Sequence, residues 1–226
     1  MKEIKRYAVY YAPPQGAFAS RASAWLGWDA ALGRPVAQPD LGLPVGEITG
    51  EPRKYGFHGT IKPPFRLAGD RDDADLHQAM AELAAGLAPV TLPGLRLVSL
   101  GGFLALVPDG DTAPLQALAA TVVAALDGLR APLTEAEIAR RRPERLTPRQ
   151  RELLTLWGYP YVMEEFRFHL TLTDRLQEPL AGEAMRILQG HFAPVLPRPF
   201  VIPDLCLFGE AADGRFHLLH RYTLSG

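Results

Sequence analysis

Two short stretches of the chain alternate polar and apolar residues one by one. In Tyr55-Gly56-Phe57-His58-Gly59-Thr60-Ile61-Lys62, Phe57, Gly59 and Ile61 share one side, and His58, Thr60 and Lys62 share the other. In Phe166-Arg167-Phe168-His169-Leu170-Thr171-Leu172-Thr173, Phe168, Leu170 and Leu172 turn inward, and His169, Thr171 and Thr173 turn away. A period of two predicts half-buried strands. Arg6 to Ala12, rich in Tyr and Val and stopped by Pro13-Pro14, predicts a third strand, with Tyr7, Val9 and Tyr11 on one face and Ala8 and Tyr10 on the other. Leu95–Leu100 and Phe103–Val107 flank Gly101-Gly102, a hairpin signal. Strands near Phe200–Phe208 and Arg215–Tyr222, with a turn over Gly209–Gly214, follow late in the chain.

Helical spacing fills the intervals. Ser20 to Leu32 reads as a helix stopped by Gly33, and residues 33–54, rich in Pro and Gly, as a long loop. Leu76, Met80, Leu83 and Leu87 form one face of a helix over Asp72–Leu87, with Asp72, Asp73 and Asp75 where the helix N-terminus favours negative charge. Leu115–Leu129 and Glu183–Phe192 are further helices. Thr134-x-x-Glu137 and Thr147-Pro148-x-Gln150 are capping boxes, and the second opens a helix that ends at Gly158.

The order repeats. After His58 come a helix, Ala88-Pro89-Val90 and two strands; after His169 come a helix, Ala193-Pro194-Val195 and two strands. Strand-helix-strand-strand units with hairpins imply α+β lobes with antiparallel sheets. We read residues 1–226 as one bilobal domain, with lobes over roughly 1–110 and 111–226 and strand exchange between them allowed.

Composition narrows the class. The chain has 226 residues, 47% hydrophobic and 22% charged, as an ordinary globular protein does. A formal net charge of −1 speaks against a basic surface for long nucleic acid, while a local phosphate pocket or a short RNA end stays compatible. No apolar leader opens the Met1–Arg6 start, and no run of ~18 apolar residues occurs, so the expected location is cytoplasmic, with no membrane span. The single cysteine, Cys206, sits between Leu205 and Leu207 and reads as buried. No Cys/His cluster has metal-ligand spacing, so no metal and no cofactor are expected.

The chemistry lies in the doubled motif. One His-x-Thr on a strand is most often structural; two copies with matching aromatic and apolar flanks are not. Each presents an imidazole with a hydroxyl two residues on, a pair that can move a proton and hydrogen-bond the same group. The two motifs resemble the twin His-x-Thr/Ser signature of the 2H phosphoesterase superfamily. The strings from Arg53 to Phe65 and from Phe166 to Thr173, with the opening Arg6-Tyr7-Ala8-Val9-Tyr10-Tyr11-Ala12-Pro13, resemble its branch of bacterial proteins associated with phosphonate metabolism. That resemblance implies two pseudo-twofold-related lobes around a central cleft. It implies His58 and His169 as general acid and base, and Thr60 and Thr171 as phosphate contacts. Either imidazole can be the acid.

Candidate substrate contacts are Lys62, by its parity with His58, with a solvated strand end as the alternative; Tyr7 and Tyr11, which read as core residues with stacking on a sugar or base as the alternative; and Tyr55 just before the motif. Arg140, Arg141, Arg142 and Arg145 read as a solvated helix surface, with a phosphate-meeting flap as the sharper alternative. His77, His191, His217 and His220 lack a repeated hydroxyl partner and read as structural. The function expected is metal-independent hydrolysis of a small cyclic phosphodiester, a ribose cyclic phosphate in phosphonate breakdown. The alternatives are RNA-end 2′,3′-cyclic phosphodiesterase or 2′–5′ ligase chemistry, and a non-catalytic phosphate-ligand module. In each case the partner is a small phosphorylated molecule.

Overall fold

A computed structural model describes residues 4–226; Met1 to Glu3, the first part of the polar N-terminal start, lie outside the described residues. The strands are β1 (Arg6–Tyr11), β2 (Trp28–Asp29), β3 (Arg34–Pro35), β4 (Gly59–Phe65), β5 (Val90–Leu92), β6 (Leu95–Leu100), β7 (Phe103–Pro108), β8 (Leu170–Thr171), β9 (Phe200–Ile202), β10 (Asp204–Glu210) and β11 (Phe216–Thr223). The helices are α1 (Ala17–Leu26), α2 (Val45–Ile48), α3 (Gly50–Arg53), α4 (Asp73–Ala85), α5 (Ala113–Ala125), α6 (Glu135–Arg140), α7 (Pro148–Trp157) and α8 (Leu180–Phe192).

Seven strands form one antiparallel sheet in the order β11-β10-β1-β4-β8-β7-β6. It is two half-sheets joined between β4 and β8, where Gly59 pairs with Leu170. The sequence repeat is written into this order. Its equivalent strands meet each other, β4 with β8 and, in a separate ribbon, β5 with β9 about Thr91 and Val201. A pseudo-twofold axis therefore passes between β4 and β8. The chain crosses that axis: hairpin β6–β7, from the first repeat, lies beside β8, and hairpin β10–β11, from the second, lies beside β1.

One sheet face is the main core. Tyr7, Val9, Tyr11, Ile61, Leu170 and Leu205 pack there against α4 (Leu76, Met80), α5 (Leu118, Val122) and α8 (Ala184, Leu188). Each fully buried Leu or Phe of this layer is worth ~1.5–3 kcal/mol. The opposite face carries a smaller cluster of Ala8, Tyr10, Trp28, Cys206, Phe208 and Phe216, and then opens into a cleft. The anticipated capping boxes form at Thr134 and Thr147, and Asp72 makes a third with Asp75.

Four expectations need correction. Helix α1 ends at Gly27, not Gly33: Gly27 takes the left-handed conformation (φ 79°), and its N–H closes onto the carbonyls of Ser23 and Ala24. Residues 33–54 are not a featureless loop. They hold β3, α2 and α3, gathered by the Arg53 guanidinium, which donates to the Leu26 and Gly46 carbonyls and to Thr49 Oγ1. Pro63 and Pro64 do not end the first histidine strand but lie inside β4. They are tolerated because β8 has already stopped on one side and the pairing with β1 is bulged on the other. The second histidine strand is only the two residues of β8, and His169 immediately precedes it.

Candidate active site

The site begins with a glycine. Gly59 faces the Phe168 ring so closely that a Cβ would lie 2.2 Å from Phe168 Cζ. Only glycine lets the two motif strands close over that ring. With Gly59 opposite Leu170, one further step of antiparallel register each way sets Thr60 across from His169 and His58 across from Thr171. The local twofold thus exchanges the two His-x-Thr motifs.

The imidazoles are held alike. His58 Nδ1 is 2.9 Å from the Gly56 carbonyl, and His169 Nδ1 is 2.8 Å from the Arg167 carbonyl. A carbonyl only accepts, so these contacts place a proton on each Nδ1 and leave each Nε2 as the atom that can take up or give a second proton. His58 Nε2 lies 3.3 Å from Thr60 Oγ1. Gly56, at φ 72°, makes the turn that brings its carbonyl under the ring, and a Cβ there would be 2.6 Å from Ala30 Cβ.

These groups floor a cavity of about 880 Å³. His58, Thr60 and Thr171 line it, with Tyr10 beneath and Tyr55 and Phe103 at the sides. His169 is not among the lining residues; its ring lies 5.6 Å from that of Phe103, which is. The Tyr10 ring is stacked on His58 at 3.9 Å, and Tyr55 stands 5.7 Å from the same imidazole. Burial between these rings pulls the His58 pKa down to about 4; the Gly56 carbonyl opposes the shift and the charge of nearby His169 adds to it. His58 is accordingly a neutral imidazole at physiological pH, the form that accepts a proton.

The structure separates the secondary candidates. Tyr55 lines the cavity. Tyr7 and Tyr11 do not: both are buried on the opposite face, Tyr7 with its hydroxyl on Asp73 and Tyr11 edge-on to Phe200. Lys62 is also turned away, because β4 bulges. Tyr10 pairs with Thr60 but Val9 pairs with Lys62, so the alternation that ties Lys62 to His58 is broken between them. Its ammonium is buried 3.1 Å from the Val123 carbonyl and 3.6 Å from Asp127. Desolvation lowers its pKa to about 8, with Asp127 opposing.

Further residues complete the walls, some of them missed from the sequence. Tyr10, opposite in parity to Tyr7 and Tyr11, was the visible signal for the floor. Arg6, Arg140, Arg141 and Arg175 bring positive charge to the rim, so part of the arginine-rich segment faces the cleft rather than bulk solvent. Cys206 is buried beside Asp204, and burial and that carboxylate keep its thiol protonated. Of the other histidines, His77 contacts the Tyr222 hydroxyl, and none of the four lines this cavity. Among the described residues no group of His, Cys, Asp and Glu is arranged to hold a metal, and no helix is long and apolar enough to cross a membrane.

Two His-x-Thr motifs related by a local twofold thus meet beside one cleft, on a sheet built from two α+β repeats. The chain belongs to the family described as protein of unknown function DUF1045, which matches residues 60–217. It is 37% identical over 222 residues to a protein of Janthinobacterium sp. (strain Marseille) named ribose 1,5-bisphosphate phosphokinase PhnN, with 94% of this chain covered. A protein of the same name from Laribacter hongkongensis (strain HLHK9) is 38% identical over 213 residues, with 92% covered. The chain spans about half, 49%, of the length of each of these relatives. Among solved structures, E. coli LigT complexed with 3′-AMP overlays with a TM-score of 0.46 at 16% identity, covering 99% of this chain and 100% of its own. TT0787 of Thermus thermophilus gives 0.47 at 16% identity, with 98% of each chain covered.

Proposed function

We propose that the protein hydrolyses a small cyclic phosphodiester by general acid–base catalysis between His58 and His169. The observation that carries this reading is the pairing of Gly59 with Leu170, which sets the two His-x-Thr motifs about one axis beside one cavity. In the step proposed, His58 Nε2 takes a proton from water as the water oxygen bonds to phosphorus. The opposite P–O bond breaks, and His169, entering the step as the imidazolium with a second proton on Nε2, gives that proton to the departing alkoxide and returns to the neutral ring. Thr60 and Thr171 donate hydrogen bonds to the non-bridging oxygens, where charge builds. The neutral state of His58 supports its role as the base. The scheme routes no step through a metal or cofactor, since the side chains supply acid, base and phosphate contacts themselves.

The substrate class we infer is a ribose cyclic phosphate from phosphonate breakdown. Relatives that contain this chain's counterpart in about half their length are named for a ribose bisphosphate, which supports a sugar phosphate over a long polymer. The deciding assay offers ribose 1,2-cyclic phosphate, 2′,3′-cyclic nucleotides and 2′–5′ oligonucleotides to the protein in EDTA. Turnover of the first, abolished in His58→Ala and His169→Ala, is expected. Turnover of nucleotides alone moves the substrate to RNA ends, and no turnover with any of the three sinks the reaction.

A further inference from the structure

The catalytic motifs occupy one end of the cleft, and the other end is basic. Near the far end of β4, marked by Pro63 and Pro64, the lining includes Arg6, Arg140 and Arg141 beside Tyr159. Two carboxylates belong to this neighbourhood, and both are engaged. Glu137 is held by Arg66 at 2.9 Å and by the backbone N–H of Thr134, which drop its pKa to about 2. Glu210 is paired with Arg6. Among the described residues, neither Arg140 nor Arg141 meets a carboxylate. The Arg141 guanidinium lies 4.7 Å over the Tyr159 ring, which fixes its direction without neutralising it.

Adjacent arginines without counter-charge beside a cavity suit an anion with several acceptor oxygens, which guanidinium groups bind bidentately. The spacing suits a small molecule. At ~3.3 Å per residue, Pro64 lies about 13 Å along β4 from Thr60, room for a sugar ring between the two poles.

We propose that Arg140 and Arg141 bind a second anionic group of the substrate, a phosphate monoester on the sugar whose cyclic phosphodiester faces His58 and Thr171. Which phosphate is cut rests on the proposed function; the anion site itself does not.

The test uses the full chain and an Arg140→Ala/Arg141→Ala variant, whose changes lie on an exposed helix end. The first probe is ribose 5-phosphate, which has a monoester and no cyclic diester, titrated by calorimetry. The wild type and His58→Ala are expected to bind it alike, and the double arginine variant about 10- to 100-fold more weakly. The second readout is kcat/KM for a ribose cyclic phosphate with and without a 5-phosphate. The arginine variant is expected to lose about 100-fold on the first substrate and less than about 2-fold on the second. Binding lost in His58→Ala but kept in the arginine variant, no binding to the wild type, or equal losses on both substrates would overturn the proposal. Monoester binding that depends on the arginines, with no hydrolysis of any cyclic diester, upholds the site and removes the reaction instead.

Discussion

The rings of Tyr10 and His58 lie face to face, 3.9 Å apart and 28° from parallel, on neighbouring strands whose pairing sets Tyr10 beside Thr60. Tyr10 thereby fixes the plane of the imidazole that the Gly56 carbonyl fixes at Nδ1. In the proposed reaction it is a positioning residue. Tyr10→Phe keeps the stack and should leave kcat within about 2-fold. Tyr10→Leu should lower kcat about 10-fold or more with KM little changed, since reorientation of a catalytic group costs the chemical step rather than binding. Steady-state kinetics of the two variants, with circular dichroism to confirm folding, checks this.

Burial of His58 makes a pH prediction with a definite sign. Its pKa in the folded protein, about 4, lies below the ordinary 6.5, so the unfolded chain binds the proton more tightly. Stability from this group is complete above pH ~6.5, falls as the pH drops toward 4, and can change by on the order of 3 kcal/mol over that window. His58→Gln should flatten that part of the stability-versus-pH curve, measured by urea unfolding from pH 4 to 7. In kcat/KM, the acid limb belonging to His58 should fall near pH 4. In kcat it should move upward, because a bound anionic phosphate favours the imidazolium. An acid limb at pH 6.5 in both would contradict the buried base.

Lys62 should matter to stability and not to catalysis. Its ammonium is buried against the Val123 carbonyl and Asp127, and Asp127 keeps a second cation in Arg130 at 2.8 Å. Lys62→Met leaves a buried carbonyl without its donor but fills the same space. A loss of ~1–3 kcal/mol is expected by chemical denaturation, with kcat and KM within about 2-fold of wild type. A large rise in KM would place Lys62 back at the phosphate.

Gly59→Ala tests the seam of the sheet. The added methyl would press on the Phe168 ring, and neither ring nor backbone has space to retreat in the core. A destabilisation of ~1–3 kcal/mol is expected. Activity should fall with it, because spreading β4 from β8 moves His58 relative to His169. Gly59→Ala/Phe168→Leu should recover stability, measured by thermal unfolding.

Much of this was legible because it is local. Capping boxes at Thr134 and Thr147, the Gly101-Gly102 hairpin and the four-residue rhythm of Leu76 and Met80 each depend on neighbours in sequence, and each appears where expected. The repeated order of elements carried the pseudo-twofold. What misled was the assumption of perfect alternation. The bulge in β4 turns Lys62 to the wrong side; Pro63 and Pro64 beside it fit a bulge as well as a strand end, and only the pairing with β1 decides between the two. The choice among Tyr7, Tyr10 and Tyr11 needed to know which sheet face the helices cover, a long-range fact. Gly27 ended α1 before Gly33 could, and two glycine stops in one stretch leave local reasoning no basis for choosing.

The crossing of hairpins has a consequence for how such a protein can be divided. A cut in the loop near Gly110 would leave the first fragment holding β1 and β4 without the β10–β11 ribbon beside them, and the second holding β8 without β6–β7. Neither piece owns a finished half-sheet, so the fragments should be unfolded alone and regain structure only when mixed. The two motifs are thus bound to one folding event.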